Sequence, residues 1–218
     1  MLSVVIPTLN AQRHLGACLA SVAEADEIIV IDGGSTDRTC ELAEEAGARV
    51  IPSARGRGVQ LAAGAEAAKG DWLLFLHADT RLSPGWRAVV EDHMRRAPSS
   101  AACFRFRLDA SEWQARLIER GVAARVRRLG LPYGDQGLVI SRALYEEVGG
   151  FAPVPLMEDV DLVRRIGRRR LRLLDAEAIT SPERWRRNGW LRRSALNVIL
   201  LALYSVGMPA ERIARLYR

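Results

Sequence analysis

The sequence predicts an α/β protein with a mainly parallel central sheet and helices on both faces, and three observations carry that expectation. Short apolar runs alternate with helix-patterned segments through the first hundred residues, which is how successive βαβ units read in sequence. The runs are apolar at nearly every position, as strands covered on both sides must be. A chain of 218 residues, 49% hydrophobic and 27% charged, has the size and mix of one globular domain, which excludes disordered, collagen-like and coiled-coil classes.

The elements follow in order. SVVIP is a strand and residues 11–24 a helix; EIIVID is a strand and 36–46 a helix; ARVIP is a strand and 59–69 a helix; DWLLFLH is a strand before a helix near 86–97. Ser35 or Thr36 is the expected N-cap of the second helix, and Gly47 the glycine that stops it. Beyond residue 100, AACFRFRLD reads as a strand, 111–129 as an arginine-studded amphipathic helix and LPYGDQG as a loop. GLVIS is a short strand, SRALYEEVGG a short helix with a glycine stop, and EDVDLVRRIGRRR a helix before the strand LRLLD. Residues 1–188 form the expected domain, with 1–97 as a ligand-binding half and 98–188 as a second half, and 189–218 as a helical appendage.

Within that appendage Leu191–Met208 is apolar on most faces, broken by Asn197, Ser205 and Gly207 and flanked by Arg192 and Arg193. It falls short of the ~20 clean apolar residues of a spanning helix. It is expected to pack on the domain, on a second copy of the chain or at a membrane surface. The net charge of +6 is uneven: residues 160–218 hold 14 Arg, no Lys and 5 acids, and the rest of the chain is acidic by three. Such an end suits phosphates or anionic lipid, or is simply a solvated arginine-rich surface. Nucleic acid is not an expected partner, because no recognition motif is present and aromatics are not interleaved with the arginines. Cys18, Cys40 and Cys103 are too few and scattered for a disulfide framework or a metal cluster, so reduced thiols are expected. The start MLSVVIPTLN lacks a basic n-region, and a cytoplasmic location is expected.

Ligands of open parallel sheets sit beyond the carboxyl ends of the strands. The polar residues there are Thr8 and Asn10, Asp32, Arg55 and Arg57, and His77 and Asp79. Asp32, before the turn GGSTD, either accepts hydrogen bonds from a nucleobase or ribose or satisfies its own turn. Arg55 and Arg57 would clamp a diphosphate or stay solvated. Asp79 suits Mg²⁺ or Mn²⁺, which need only one or two protein oxygens beside the phosphates. His77, on the same face, is a ligand or a buried histidine. Glu158 and Asp159 open a helix whose Asp161 and Arg165 form an i,i+4 pair; they are candidates for a general base. ARGRGVQLAAG matches neither a Walker loop nor a dinucleotide fingerprint, so nucleotide hydrolase and dehydrogenase readings lose support.

VVIPTLN, IDGGSTDRT, GDWLLFLHADT, GDQG and MEDVDL, in this order, resemble the family 2 glycosyltransferases of the GT-A fold over about residues 1–188. LHADT, PYGDQG and SPERW are similar to a small bacterial subgroup labelled as radical SAM/selenodomain-associated or arsenosugar biosynthesis glycosyltransferases. The resemblance implies a nucleotide-diphosphate sugar donor, a hydroxyl acceptor, a divalent metal (Mn or Mg) and inversion at the anomeric carbon. By position it implies that Pro7, Thr8 and Asp32 hold the nucleoside, Arg57 the diphosphate and Asp79 the metal, with Asp159 as base. Asp135 and Gln136 would face the acceptor, and Arg184 and Trp185 match a QxxRW-like element. His77 replaces the first acid of the DxD motif. Leu9 and Ala11 stand where relatives carry an aromatic and a glutamate, and Ser181 replaces the glutamine found in processive enzymes. Two other readings compete: a non-catalytic nucleotide-sugar binder, and a nucleotidyltransferase, which would want a basic glycine-rich loop where PTLNAQRH stands. A place at the inner face of the membrane, or a homodimer, through residues 190–218 completes the expectations.

Overall fold

The computed structural model describes residues 1–216. Among these, eight strands form one sheet in the order β3-β2-β1-β4-β7-β6-β8-β5. β1 (Leu2–Thr8), β2 (Glu27–Asp32), β3 (Arg49–Pro52) and β4 (Trp72–Phe75) run parallel, joined by α1 (Gln12–Ser21), α2 (Thr39–Glu45) and α3 (Arg57–Ala67). β1 is buried along its whole length, as its unbroken apolarity requires. One face of the sheet packs on α1 and α4 (Trp86–Arg96) through Leu15, Leu19, Trp86 and Val90. The other packs on α3, α6 (Arg142–Glu147) and α7 (Glu158–Ile166) through Leu61, Ala65, Leu144 and Leu162. Pairing of Thr8 with Asp32 and of Asp32 with Pro52 aligns the carboxyl ends of three strands at one edge.

The second half of the sheet is mixed. β7 (Leu138–Ser141) is antiparallel to β4 and to β6 (Ala101–Leu108), whereas β8 (Leu171–Thr180) is parallel to β6 and β5 (Thr80–Leu82) antiparallel to β8. The run DWLLFLHADT therefore divides. After β4 the chain turns, with the Thr80 amide donating to the His77 carbonyl at 3.0 Å, and Thr80 starts the sheet's far edge. β8 extends five residues past LRLLD; its inward positions there are Ala176, Ala178 and Thr180, whose small side chains weaken the alternation that marks a strand.

The second helix begins at Thr39, not at 36, and neither Ser35 nor Thr36 caps it. Ser35 is instead engaged with Asp32 and Asn10, and the Thr36 amide with the Asn10 side chain. Gly47 does stop the helix, at φ 77°: its amide donates to Glu44 and the next amide to Ala43, a Schellman arrangement. The three cysteines are free thiols.

The last segment folds as α8 (Glu183–Asn188), α9 (Trp190–Ser205) and α10 (Ala210–Leu216). Leu200, Leu201 and Ile213 pack on Leu156, Met157 and Val160, so α9 is seated on the domain. Residues 217 and 218 of the expected appendage lie outside the described residues. No helix among the described residues is long and apolar enough to cross a membrane.

α3 approaches the sheet at Gly64, where a Cβ would stand 2.2 Å from Val5 Cγ1 and 3.0 Å from Ile31 Cγ1. Gly64→Ala overpacks this contact and should cost about 1–3 kcal/mol, read as a lower urea midpoint at unchanged slope.

Candidate active site

Two hollows meet at the carboxyl edge of the sheet. An open cleft of about 920 Å³ is lined by Pro7, Thr8, Asn10, Arg55, Arg57 and Gln60 among others. A smaller cavity of about 90 Å³ lies beside it, with Tyr133, Asp135, Met157, Asp159, Trp185 and Asn197 in its wall. Arg57, His77, Asp79 and Arg184 line both. The site thus gathers Arg57, His77, Asp79, Asp135, Asp159, Arg184 and Trp185 from segments distant in sequence.

The cleft floor is braced by a residue the motifs did not indicate. Gln60 is buried, and its Nε2 donates to the carbonyls of Thr8 and Ile31 at 2.8 Å each, tying the ends of β1 and β2 to α3. A glutamine inside an otherwise apolar helix face was the available signal.

Asp32 takes the self-satisfying option. Oδ1 accepts from the hydroxyls of Thr8 and Ser35, and Oδ2 from the amides of Gly34 and Ser35. Burial pushes this carboxyl up, but the Ser35, Thr8 and Gly34 hydrogen bonds outweigh it and hold the carboxyl below its ordinary range. With these hydrogen bonds made inside the β2–α2 turn, Asp32 shapes that turn beside the cleft.

Glu158 also departs from expectation. It is fully buried, with Oε1 at 2.7 Å from Arg57 Nε. The contact is electrostatic, since neither carboxylate oxygen makes a hydrogen bond of good geometry among the described residues. Burial raises the Glu158 carboxyl, Arg57 opposes the rise and Asp159 adds to it. Gly58 permits the approach, because a Cβ there would lie 2.5 Å from the Ala152 carbonyl oxygen. Glu158 therefore holds Arg57 and is not placed to serve as a base.

The next residue faces the cavity. Asp159 Oδ2 accepts from the Gly134 amide at 2.6 Å and Oδ1 from the Val160 amide at 2.7 Å. The backbone before it is left-handed: Met157 has φ 68°, a conformation that costs a non-glycine residue energy and gathers at functional sites. Among the described residues Asn10, at φ 50°, is the other non-glycine residue of this kind, and it lines the cleft. The Met157 turn sends Glu158 inward and Asp159 toward the cavity.

His77 is half-buried at the wall shared by the two hollows, as a neutral imidazole. Burial and then Arg57 push its pKa down to about 4, against the pull of Asp79 and Asp159. Asp79 faces Arg184 at 3.9 Å. The PYGDQG loop is held by Arg125, which donates to the Leu131 carbonyl at 2.8 Å and stacks over the Tyr133 ring at 3.5 Å. Asp135 lines the cavity, and its Oδ1 is buried with no hydrogen-bond partner among the described residues. Burial raises its pKa to about 6, Arg125 opposing and Asp159 and Asp79 adding. Gln136 points into the protein, donating to the Phe104 carbonyl at 3.1 Å, and is buried; the acceptor-facing role expected for it does not fit. Trp185 packs on Phe106 and borders the cavity, and Arg184 beside it faces both hollows. Tyr133, Met157, Arg193, Asn197 and Leu200 also line the wall. Tyr133 and Met157 lie in PYGDQG and MEDVDL without having been singled out as site residues, and the last three come from α9.

The donor set fits a hard divalent ion that brings oxygens of its own ligand with it. Asp79 offers a carboxylate and Asp135 an orphaned oxygen, but no group of three or more acidic, histidine or cysteine side chains forms a cage among the described residues.

The sheet order and the cleft at the carboxyl ends of its parallel strands define a GT-A-type α/β protein. Residues 3–156 match the model of "Glycosyl transferase family 2", and the chain belongs to that family. A PGL/p-HBAD biosynthesis glycosyltransferase of Mycobacterium tuberculosis is 40% identical over 99 residues, which cover 38% of this chain and 36% of that protein. The match spans about a third of that relative's length. The crystal structure of glucosyl-3-phosphoglycerate synthase from Mycobacterium tuberculosis with Mn²⁺, UDP and glucosyl-3-phosphoglycerate superposes with a TM-score of 0.60 at 22% identity, covering 83% of this chain and 70% of that one. S. aureus TarS 1-349 with UDP-GlcNAc gives 0.65 at 17% identity, covering 83% and 58%. At these identities the structures establish the shared fold.

Folding should feel Asp135. Its pKa is raised in the native state, so that state binds more protons than the unfolded one between the ordinary 3.8 and about 6, and stability falls as pH climbs through this window. Relative to Asp135→Asn, the parent should lose melting temperature from pH 3.8 to pH 6, and parallel Tm-against-pH curves would refute the assignment.

Proposed function

We propose that the chain transfers a sugar from a nucleotide-diphosphate donor to a hydroxyl acceptor with inversion. One observation carries this: a cleft of nucleotide-sugar size and a small acid-lined cavity share a wall made of Arg57, His77, Asp79 and Arg184. Donor in the first and acceptor in the second would meet at that wall. Family membership and the nucleotide-bound relatives support the reading. LHADT, PYGDQG and SPERW further suggest the radical SAM/selenodomain-associated or arsenosugar-type subgroup.

In this reading Asp159, held by two backbone amides, takes the proton of the acceptor hydroxyl as its oxygen attacks the anomeric carbon. The new carbon–oxygen bond forms as the bond to the diphosphate breaks, and the nucleoside diphosphate leaves with the electron pair. Arg57, positioned by Glu158, and Arg184 meet the growing negative charge. Neutral His77 adds no positive charge there. Asp79 would hold Mn²⁺ or Mg²⁺, which supplies Lewis-acid stabilisation of the diphosphate. Pro7, Thr8 and Arg55 border the nucleoside, with Asp32 acting through the turn it fixes. Asp135, Trp185 and Asn197 contact the acceptor. Residues 190–216 face a membrane surface or a second copy, and the protein works in the cytoplasm, free or at the inner face of the membrane.

A thermal-shift panel of nucleotide sugars, with and without Mn²⁺, should show one donor class raising Tm. Donor binding with neither transfer nor hydrolysis in either metal would mark a non-catalytic binder. Asp159→Asn should cut transfer by roughly 10²-fold or more at unchanged donor binding; parental rates in the purified variant would rule out the base. Asn197→Ala should raise the acceptor KM and leave the donor KM in place, as steady-state kinetics would show.

A further inference from the structure

α9 is apolar on two sides: Leu196, Leu200, Leu201 and Leu203 pack on the domain, and a second stripe faces outward. Leu191, Ala195, Val198, Ile199, Ala202 and Val206 recur at helical spacing on the exposed side, and Leu191, Val198, Ile199 and Val206 are 62%, 65%, 54% and 82% exposed. The opposite side, with Arg193, Asn197 and Leu200, faces the smaller cavity. A surface helix of a globular protein turns a polar face to water, so this outward stripe suits something outside the chain. At 16 residues the helix is about 24 Å long, and it is not among helices able to cross a bilayer. A helix with an apolar face and basic flanks lies in the plane of a membrane surface.

Charge selects among the occupants. α9 contains no acidic residue, and exposed Arg187, Arg192, Arg212 and Arg215 flank it. A second copy laid on the same stripe would bring arginines near arginines with no carboxylate on the helix to offset them, whereas an anionic leaflet supplies the opposite charge. Neighbouring α5 (Trp113–Leu129) contacts α9 and exposes Trp113 and Leu117 one turn apart, an aromatic-aliphatic pair of the kind that seats at lipid interfaces.

We infer that α9 docks flat on an anionic membrane surface through Leu191, Val198, Ile199 and Val206. This narrows the membrane-or-copy contact of the proposed function to one partner, and it stands on the exposed stripe and its charge alone, independent of sugar transfer.

The full chain is mixed with vesicles of phosphatidylcholine alone or with phosphatidylserine and sedimented at low and high NaCl. Binding should be at least about tenfold stronger with phosphatidylserine and weaken with salt. Val198→Ser combined with Ile199→Ser changes two mainly exposed side chains, so donor thermal shift should match the parent and melting temperature stay close to it while vesicle binding falls about tenfold or more. Arg187→Glu with Arg192→Glu should also lose the phosphatidylserine preference. Parental binding by the serine variant, equal binding to both vesicles, or a dimer in light scattering that the serine substitutions split without any vesicle binding would each overturn the inference. Absence of sugar transfer with vesicle binding intact would count against the proposed activity only.

Discussion

The site depends on one close approach, between the first turn of α3 and the segment 152–158. Gly58 lets the two backbones meet, and the buried Arg57–Glu158 pair joins them. A buried carboxylate beside a half-buried guanidinium is no guarantee of added stability, because desolvation offsets the attraction. Its effect is positional. Arg57 opens a helix of the parallel half of the sheet and Glu158 a helix of the mixed half, so the pair ties the large cleft to the small cavity. ARGRG, which reads as a phosphate-binding stretch, thus also fastens the two halves of the fold.

The parallel half was legible because each strand is apolar throughout and each crossover helix carries a clear period. The mixed half was less so. β5 is three residues long and pairs only with β8, so nothing local distinguishes it from the end of β4. The small inward residues of β8 hid its second half. At the site, Thr8, Arg57, Asp79, Asp135, Asp159 and Arg184 were found by their place after strands or in motifs, and the fold brings them to one edge. Asp32, Glu158 and Gln136 bear the right chemistry in the right motifs, yet each spends it on its own surroundings. Motif position shows where a carboxylate or amide sits along the chain but not which way its lone pairs are used. Gln60, Tyr133, Met157 and Asn197 were missed because their roles arise from packing between segments far apart in sequence.

α9 shows how an apparent appendage becomes part of a site. Its apolar content left packing on the domain, on a second copy or at a membrane surface open; it packs on the domain, and Arg193, Asn197 and Leu200 reach the cavity from that side. The matched family region ends at residue 156. Each hollow draws on both sides of that boundary: Ser181, Glu183 and Arg184 reach the cleft from beyond it, as Asp159, Trp185 and Asn197 reach the cavity.

Gly134 closes the account of the cavity by what it lacks. A Cβ there would fall 2.5 Å from His77 Nε2 and 3.4 Å from Asp159 Oδ2. The loop can therefore slip between imidazole and carboxylate while its amide still grips the latter. Even a methyl group would wedge them apart, so the working gap of the pocket is gauged by a hydrogen atom.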